Sequence, residues 1–535
     1  MNDEAHKSVP QPRSARIAEV LLIALVFFVV AGDPAPHTNE PHYLCRLKHY
    51  WNPAWCAGDL FLDSPEAHLT FVWVFGWVTK WLSLAATAWT GRAAAWTLLA
   101  WAWQRLSLRI VPAPFAAVLA AALWVSLTQT AHLAGEWVIG GVEAKCFAYV
   151  FVLLALRELV DRRWNRVWLA LGAATALHAL VGGWSTVICG GIWCLETLQC
   201  NSARRDPLRS FRAMLPGLVG GGLLALVGVV PALLLTWNEP RDVVAEANQI
   251  YVFERLPHHL ALLSLPGAEI ARRLTRHGLL IAALWLLSSA NRRLGNVDAG
   301  LATVTRFAWG AVLIAAIGLV LELALWSHPA LAAALLRYYW FRLTDVAVPL
   351  AVALQVVALI AAGLSQYRSW AAWGLVAALV AVGGHLTQIC RERLVNPVPP
   401  SDRRMLDPAA WVEACEWVAE NTPPDALFLT PRLNQSFKWR TGRPEVATRK
   451  DVPQDARSMV EWFHRLRTIY YAEVDGELEP APSLAHVGTE RVLAAARQYG
   501  AKYVLTDNRH PLQLPIAYPN ATHANDTYVI YRIDD

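Results

Sequence analysis

Between Gly32 and His68 the chain turns from aliphatic to chemical, reading GDPAPHTNEPHYLCRLKHYWNPAWCAGDLFLDSPEAH between two apolar stretches. Asp33, Glu40, Asp59, Asp63 and Glu66 supply carboxylates there, with His37, His42, His49 and His68 among them. A carboxylate within hydrogen-bond reach of a hydroxyl or amine is what a general base requires. Asp33 and Glu40 are the candidates for that role, with the choice between them open. His42 and His49 are seven positions apart, so on one helix they share a face with Arg46 between them. These three and Tyr43 are the candidate binding residues of the loop. Asp33, Glu40 and a histidine could hold a divalent cation, but no spacing demands one. No metal site is assigned, and the cysteines show no close CxxC pairing that would make a zinc site. Cys45 and Cys56 share the loop and are expected to pair if it faces an oxidising compartment.

A second group of reactive types lies in WSHPALAAALLRYYWFRLTD, where Arg337 and Arg342 flank Tyr338, Tyr339, Trp340 and Phe341. Arginine among aromatic rings at a membrane surface suits a lipid phosphate, through forked hydrogen bonds and stacking, or simple headgroup anchoring. A third group is the mixed-charge loop 237–260, with Glu239, Asp242, Glu246 and Glu254 beside Arg241, Arg255, His258 and His259. His178 lies inside an apolar run; it is either a packed, hydrogen-bonded histidine or a site residue.

What must position these groups is a membrane. The chain has 535 residues, 55% hydrophobic and only 17% charged, with mean hydropathy +0.31. Soluble domains carry about 25% charged residues. Many of the 26 tryptophans sit at the ends of apolar runs, as in an interfacial belt. The net charge of +5 comes without a long basic block, so no nucleic-acid partner is expected. The reading is a polytopic α-helical membrane protein of roughly 10–12 spans with a C-terminal α/β soluble domain.

Residues 1–16, with Lys7, Arg13 and Arg16, form a cytoplasmic tail ahead of an uncleaved first span. Residues 17–390 form the helical domain, 391–408 a Pro- and charge-rich linker, and 409–535 an external α/β domain. The positive-inside rule places loops 32–68 and 237–260 outside, with Arg204, Arg205, Arg209 and Arg212 in the cytoplasm. Strict alternation would put Arg157, Arg162, Arg163 and Arg166 outside as well, so one segment must fail to cross. The expected failure is 69–88, which carries Lys80 at its middle. The run 167–198 is one tilted span or a pair broken at Gly182-Gly183. In the C-terminal domain, MVEWFHRLRTIYYAEV and ERVLAAARQYG read as helices, ALFLTP and KYVLTD as strands, and TYVIYRI as an edge or hairpin strand. Its segment 432–450 is basic, as a solvated face or one turned toward anionic glycan or headgroups.

The layout of a first span, an external loop opening with acids, many spans and an external C-terminal domain resembles the GT-C class of membrane glycosyltransferases. Asp33 and the Glu40-Pro41-His42-Tyr43 string look like that loop's acidic signature. AENTPPDALFLTP, followed by a basic segment and EWFHR, is similar to the external domain of bacterial multipass proteins of that architecture. The departure is Pro34, which stands where the class carries the second acid of an adjacent pair. The resemblance implies an inverting transfer of sugar from a polyprenyl-phosphate carrier to an acceptor on the outer face of a bacterial inner membrane. Its partners would be the bilayer and the lipid-linked sugar, with Arg337 or Arg342 steadying the phosphate. The alternatives are a transporter or flippase, and a non-catalytic scaffold of the cell envelope.

Overall fold

The computed structural model describes residues 12–199, 207–296, 298–474 and 476–534. Lys7, Arg204 and Arg205, expected on the cytoplasmic side, lie outside these residues. Eleven helices make the bundle: Arg13–Ala31, Leu84–Ile110, Ala116–Thr130, Ala144–Val160, Trp164–Leu177, Ala179–Gln199, Pro207–Trp237, Gly267–Arg293, Ala299–Ala324, Arg342–Ser365 and Ser369–Val395. Six of them are long and apolar enough to cross a membrane on their own account. The others carry interior polar groups or are short.

Successive helices run in alternate directions, and the two ends of the bundle differ in chemistry. At one end Arg109 meets Asp161 at 2.6 Å and Glu196 takes Arg162 and Arg306 at 2.5 and 3.2 Å. At the other end Asp345, in the first turn of Arg342–Ser365, accepts from the backbone N–H groups of Leu133, Ala134 and Glu136 at 2.6–3.1 Å. That clasp fixes the short loop 131–143 under the functional end.

The segment 69–88 does not form a span. Leu69–Phe75 is a seven-residue helix, Gly76–Lys80 a tight 3-10 turn, and the next long helix already begins at Leu84. Seven helical residues rise only about 10 Å, against the ~30 Å of a hydrocarbon core. Trp73, Trp77 and Trp81 stand exposed along this piece.

The run 167–198 is a pair of helices, but its break falls at His178 and not at Gly182-Gly183. Those glycines lie inside the second helix. Glycines matter instead in Pro207–Trp237, where a Cβ at Gly217 or Gly221 would stand 2.4 or 2.3 Å from the backbone of Asn165 or Trp168. This small-x-x-x-small stripe lets the helix close onto Trp164–Leu177, the usual device for helix contact without a hydrophobic drive.

The C-terminal domain is a four-stranded sheet, β1 (Phe428–Leu429), β4 (Tyr503–Asp507), β6 (Tyr528–Arg532) and β5 (Ile516–Tyr518) in that order, plus a hairpin of β2 (Tyr471–Val474) and β3 (Glu477–Pro480). β1 and β4 are parallel and the other pairs antiparallel. Two sequence expectations change here. β6 forms a hairpin with β5 and pairs with β4 on its other side, so it is internal and not an edge; Tyr528 and Ile530 pack under the helix Pro408–Asn421 while Val529 and Tyr531 pack under Ala456–Tyr470 and Thr489–Tyr499. A strand covered on both faces reads as a continuous apolar run. The helix ending MVEWFHRLRTIY stops at Tyr470, and YAEV continues as β2.

Candidate functional site

The loop 32–68 is clamped between bundle and domain. Its helix Glu40–Trp51 starts at Asn39, whose side chain makes no cap. Asn39 instead gives its amide N–H to Glu143 and takes the Lys450 ammonium on its carbonyl, bridging the 131–143 loop to the C-terminal domain. Below, Lys145 sits 3.3 Å from Glu143 and 3.6 Å from Glu136, with its ammonium 4.0 Å over the Trp137 ring. Glu136 also lies 3.0 Å from Arg342, whose guanidinium rests 3.7 Å over Tyr339. Tyr339 is held in the left-handed region at φ 56° and shares a hydroxyl hydrogen bond with Tyr251. A bulky residue there is uncommon and marks a constrained position.

Above this floor opens a cavity of about 980 Å³. One side is apolar, from Leu177 and Leu180 at the His178 break and Val229, Ala232 and Leu233 of Pro207–Trp237. The rest is cationic. Arg255, Arg273, Arg337, Arg342, Arg404, Arg449 and Lys450 line it, against one carboxylate, Glu269, among the described residues. His42, His68, His178, His258 and His259 join them. Burial, with Arg255 and Arg273 nearby, pushes His258 down to about 4, so it is neutral at pH 7 and adds no charge. Burial also lowers His42, although Asp451 3.2 Å away favours its charged form. The wall therefore presents guanidinium charge, with the neutral imidazole of His258 beside it.

The candidates from sequence divide sharply. His42, Tyr43, Arg337 and Arg342 line the cavity. Arg337 donates to Asn248 and is held beside Ala179–Gln199, where the Trp184 indole N–H donates to the Tyr338 carbonyl at 2.8 Å. Arg46 is inside the loop, 3.0 Å from Glu66 and bonded to the carbonyls of Phe61 and Pro65. His49 lies 3.0 Å from Asp63 and 2.8 Å from the Trp55 carbonyl. Neither lines the cavity.

Asp33 faces the linker, 2.7 Å from Arg403 and 3.5 Å from Arg393. Glu40 is fully buried and accepts from Arg92 Nε at 2.7 Å, Arg92 Nη2 at 2.6 Å, the His37 N–H at 2.7 Å and the Val142 N–H at 3.1 Å. Those donors fill the lone-pair positions of an ionised carboxylate. Neither acid lines the cavity, and the set Asp33, Glu40 and a histidine is dispersed among separate ion pairs. Among the described residues no group of three His, Cys, Asp or Glu side chains is placed to hold a metal ion. Cys45 and Cys56 are buried free thiols, not a disulfide.

Sequence reading missed Arg404, Arg273 and His68 as cavity residues. Arg449 and Lys450 belong to the basic segment 432–450, whose charge was visible but whose direction was not. His178 reaches the cavity because the helix breaks at it.

The family model for a domain of unknown function, DUF6798, matches residues 409–469. None of the curated proteins matches the chain. The apo oligosaccharyltransferase of Archaeoglobus fulgidus superimposes with TM-score 0.51 at 12% identity, covering 92% of this chain and 69% of that one. The oligosaccharyltransferase AglB of the same organism, in complex with an inhibitory peptide and a dolichol-phosphate, gives 0.48 at 14% identity over 92% and 69%. ArnT from Cupriavidus metallidurans, bound to undecaprenyl phosphate, gives 0.32 at 14% identity over 98% and 99%. The fold is that of the GT-C polytopic membrane glycosyltransferases.

Proposed function

We propose that the chain is an integral membrane glycosyltransferase that takes a sugar from a polyprenyl-phosphate carrier and passes it to an acceptor on the outer face of a bacterial inner membrane. One observation carries this reading: an aliphatic wall and a pair of arginines meet in a single cavity. A polyprenyl chain suits the wall of Leu177, Leu180, Val229, Ala232 and Leu233, and its phosphate suits Arg337 and Arg342 beside that wall. As the sugar–phosphate bond breaks, negative charge grows on the phosphate, and fixed guanidinium donors stabilise that charge without reorganising. The dolichol-phosphate and undecaprenyl phosphate in the solved structures named above are the same class of ligand.

An inverting transfer also needs a group to take the acceptor's proton. Asp33 and Glu40 do not line the cavity, so we assign this role to Glu269, the carboxylate in its wall among the described residues. Arg272 and Arg273 both meet its Oε1, and neither guanidinium takes Oε2. The orientation rests on the arginine-rich end of the bundle, which the positive-inside rule assigns to the cytoplasm.

The test uses the full chain in nanodiscs. Undecaprenyl phosphate binding, read by tryptophan fluorescence, is expected to weaken about 10- to 100-fold in Arg337→Gln, the loss of one charge-assisted pair. Sugar transfer from a polyprenyl-phosphate donor is expected to fall about 100-fold or more in Glu269→Gln, the size of a general-base contribution. Asp33→Asn is expected to keep transfer. Undiminished binding in Arg337→Gln overturns the carrier site, and loss of transfer in Asp33→Asn with Glu269→Gln active returns the base role to Asp33.

A further inference from the structure

Four cations on the domain side of the cavity have no acid to answer them among the described residues. Arg255 ends the π-helical turn Ile250–Arg255, Arg404 comes from the linker, and Arg449 and Lys450 come from the C-terminal domain. Among the described residues none of the four is ion-paired with a carboxylate. Arg255 donates to the Lys450 carbonyl at 3.2 Å, Arg449 to the Glu254 carbonyl at 3.1 Å, and Lys450 to Asn39. Arg255 Nε is buried with no hydrogen-bond partner at all.

Elsewhere the protein compensates its buried charge with care. Lys438 has Asp59, Glu445 and Asp451 at 3.1, 2.7 and 2.6 Å. Arg92 has Glu40, Arg342 has Glu136, and Arg273 has Glu269. Like charges gathered on one cavity wall repel one another; Arg404 is exposed and Arg449 half-buried, while burial disfavours the charge on Arg255 and Lys450. Lys450 registers this: burial, and then Arg255, push its ammonium down to about 7, with Glu143 and Asp451 acting the other way but not near enough to pair. Arg404 is a further neighbour that disfavours the charge. The group is arranged for a negative charge that the described residues do not provide.

We propose that Arg255, Arg404, Arg449 and Lys450 form a second anion site, apart from Arg337 and Arg342, for a phosphate or carboxylate that the substrate carries beyond the carrier's first phosphate. The proposal rests on the carrier reading above and deepens it. The two positions are built by different elements: Arg337 and Arg342 bracket the turn ahead of Arg342–Ser365, whereas these four belong to the 250–260 loop, the linker and the soluble domain. Two sources carry such an anion, the second phosphate of a polyprenyl diphosphate donor and an acidic group on the acceptor.

The experiment titrates the full chain, in nanodiscs, with undecaprenyl phosphate, with undecaprenyl diphosphate, and with inorganic diphosphate both alone and after addition of saturating undecaprenyl phosphate. The variant is Arg404→Gln combined with Arg449→Gln, whose side chains hold no buried carboxylate. Its undecaprenyl phosphate affinity is expected within about twofold of the unsubstituted protein, and its affinity for the second anion about tenfold or more lower. If the loss is in undecaprenyl diphosphate, the donor is the source. If the loss is in inorganic diphosphate on the lipid-loaded protein while undecaprenyl diphosphate binds as before, the acceptor is the source. Equal weakening toward all three ligands, or no weakening toward any, overturns the second site. Binding of inorganic diphosphate that the variant loses, with no binding of either lipid, sinks the carrier reading while the second site stands.

Discussion

Glu40 and Arg92 pair through two hydrogen bonds, Nε to Oε1 at 2.7 Å and Nη2 to Oε2 at 2.6 Å. Both side chains are fully buried, and Arg92 reaches Glu40 from 52 positions further along the chain. Arg92 also donates to the Asp33 carbonyl at 2.6 Å, so one guanidinium sets the start of the loop and the first turn of its helix. Removing one member of such a pair leaves the other charge buried and unanswered, which costs about 3–5 kcal/mol. Glu40→Gln is therefore expected to lower the thermal midpoint of the purified protein by several degrees, and Glu40→Gln with Arg92→Met to recover part of the loss. A Glu40→Gln protein as stable as the parent would show that the pair is not the loop's anchor. The sequence made the acids of 32–68 visible as a dense cluster, but density carries no direction. Which acids turn toward a cavity and which toward an arginine depends on contacts across 50 to 400 positions, as with Asp33 and Arg403. Arg337 and Arg342 were legible for the opposite reason, because their aromatic neighbours and their place beside a long apolar run are local features.

At the scale of elements, the loop helix Glu40–Trp51 and the soluble domain meet through one buried cation. Lys438, in the short helix Phe437–Thr441, stands among Asp59 of the loop and Glu445 and Asp451 of the domain. Asp451 reaches His42, and Asp59 accepts the Glu445 N–H at 3.1 Å, so the contact closes from both sides. Although burial pushes Asp451 toward neutrality, Lys438 and His42 hold its carboxyl below the ordinary range, the sign of a charge that is ionised in place. Lys438→Met removes the single ammonium that these carboxylates share. It is expected to loosen the domain on the bundle, read as faster trypsin cleavage in the arginine-rich linker 391–408 with the bundle fragment intact. Unchanged cleavage would mean that the other contacts, such as Arg403 with Asp33, hold the domain by themselves. Element types were mostly readable from periodicity, and the exceptions have physical causes. β6 is the hairpin strand of the two readings and not the edge, because it pairs with both β5 and β4, and pairing with β4 across the sheet leaves no local mark. The break at His178 leaves no proline or glycine mark in the sequence, since its neighbours are alanine and leucine.

For the whole molecule, the alternation of eleven helices and the asymmetry of charge at the bundle's ends support the same orientation. Arg13, Arg109, Arg162, Arg292 and Arg368 fall at one end, while the cavity and the soluble domain occupy the other. The charge pattern also made the arithmetic of the spans readable in advance. Arg157 to Arg166 return to the basic end only if one early apolar segment does not cross, and the structure breaks 69–80 into two short pieces. Composition alone identifies fewer spans, because Leu84–Ile110 carries Arg92, Gln104 and Arg105 and Gly267–Arg293 carries Glu269 and Arg273. Of these, Arg92, Gln104 and Arg273 are buried among neighbouring helices. A hydropathy window counts their cost without the partners that offset it. If the basic end is cytoplasmic, Ala524→Cys in the exposed β5–β6 connection must react with a membrane-impermeant maleimide in intact spheroplasts. Ser369→Cys, exposed at the first turn of the last bundle helix, must react only after the membrane is opened. Both variants are made with Cys194, Cys200 and Cys390 replaced by alanine, so that the native thiols outside the buried set do not contribute. The reverse labelling pattern would place the cavity on the cytoplasmic face, where an acceptor outside the membrane could not reach Glu269. Labelling of both positions in intact spheroplasts would mean that the alternation itself fails between Ser369 and the linker.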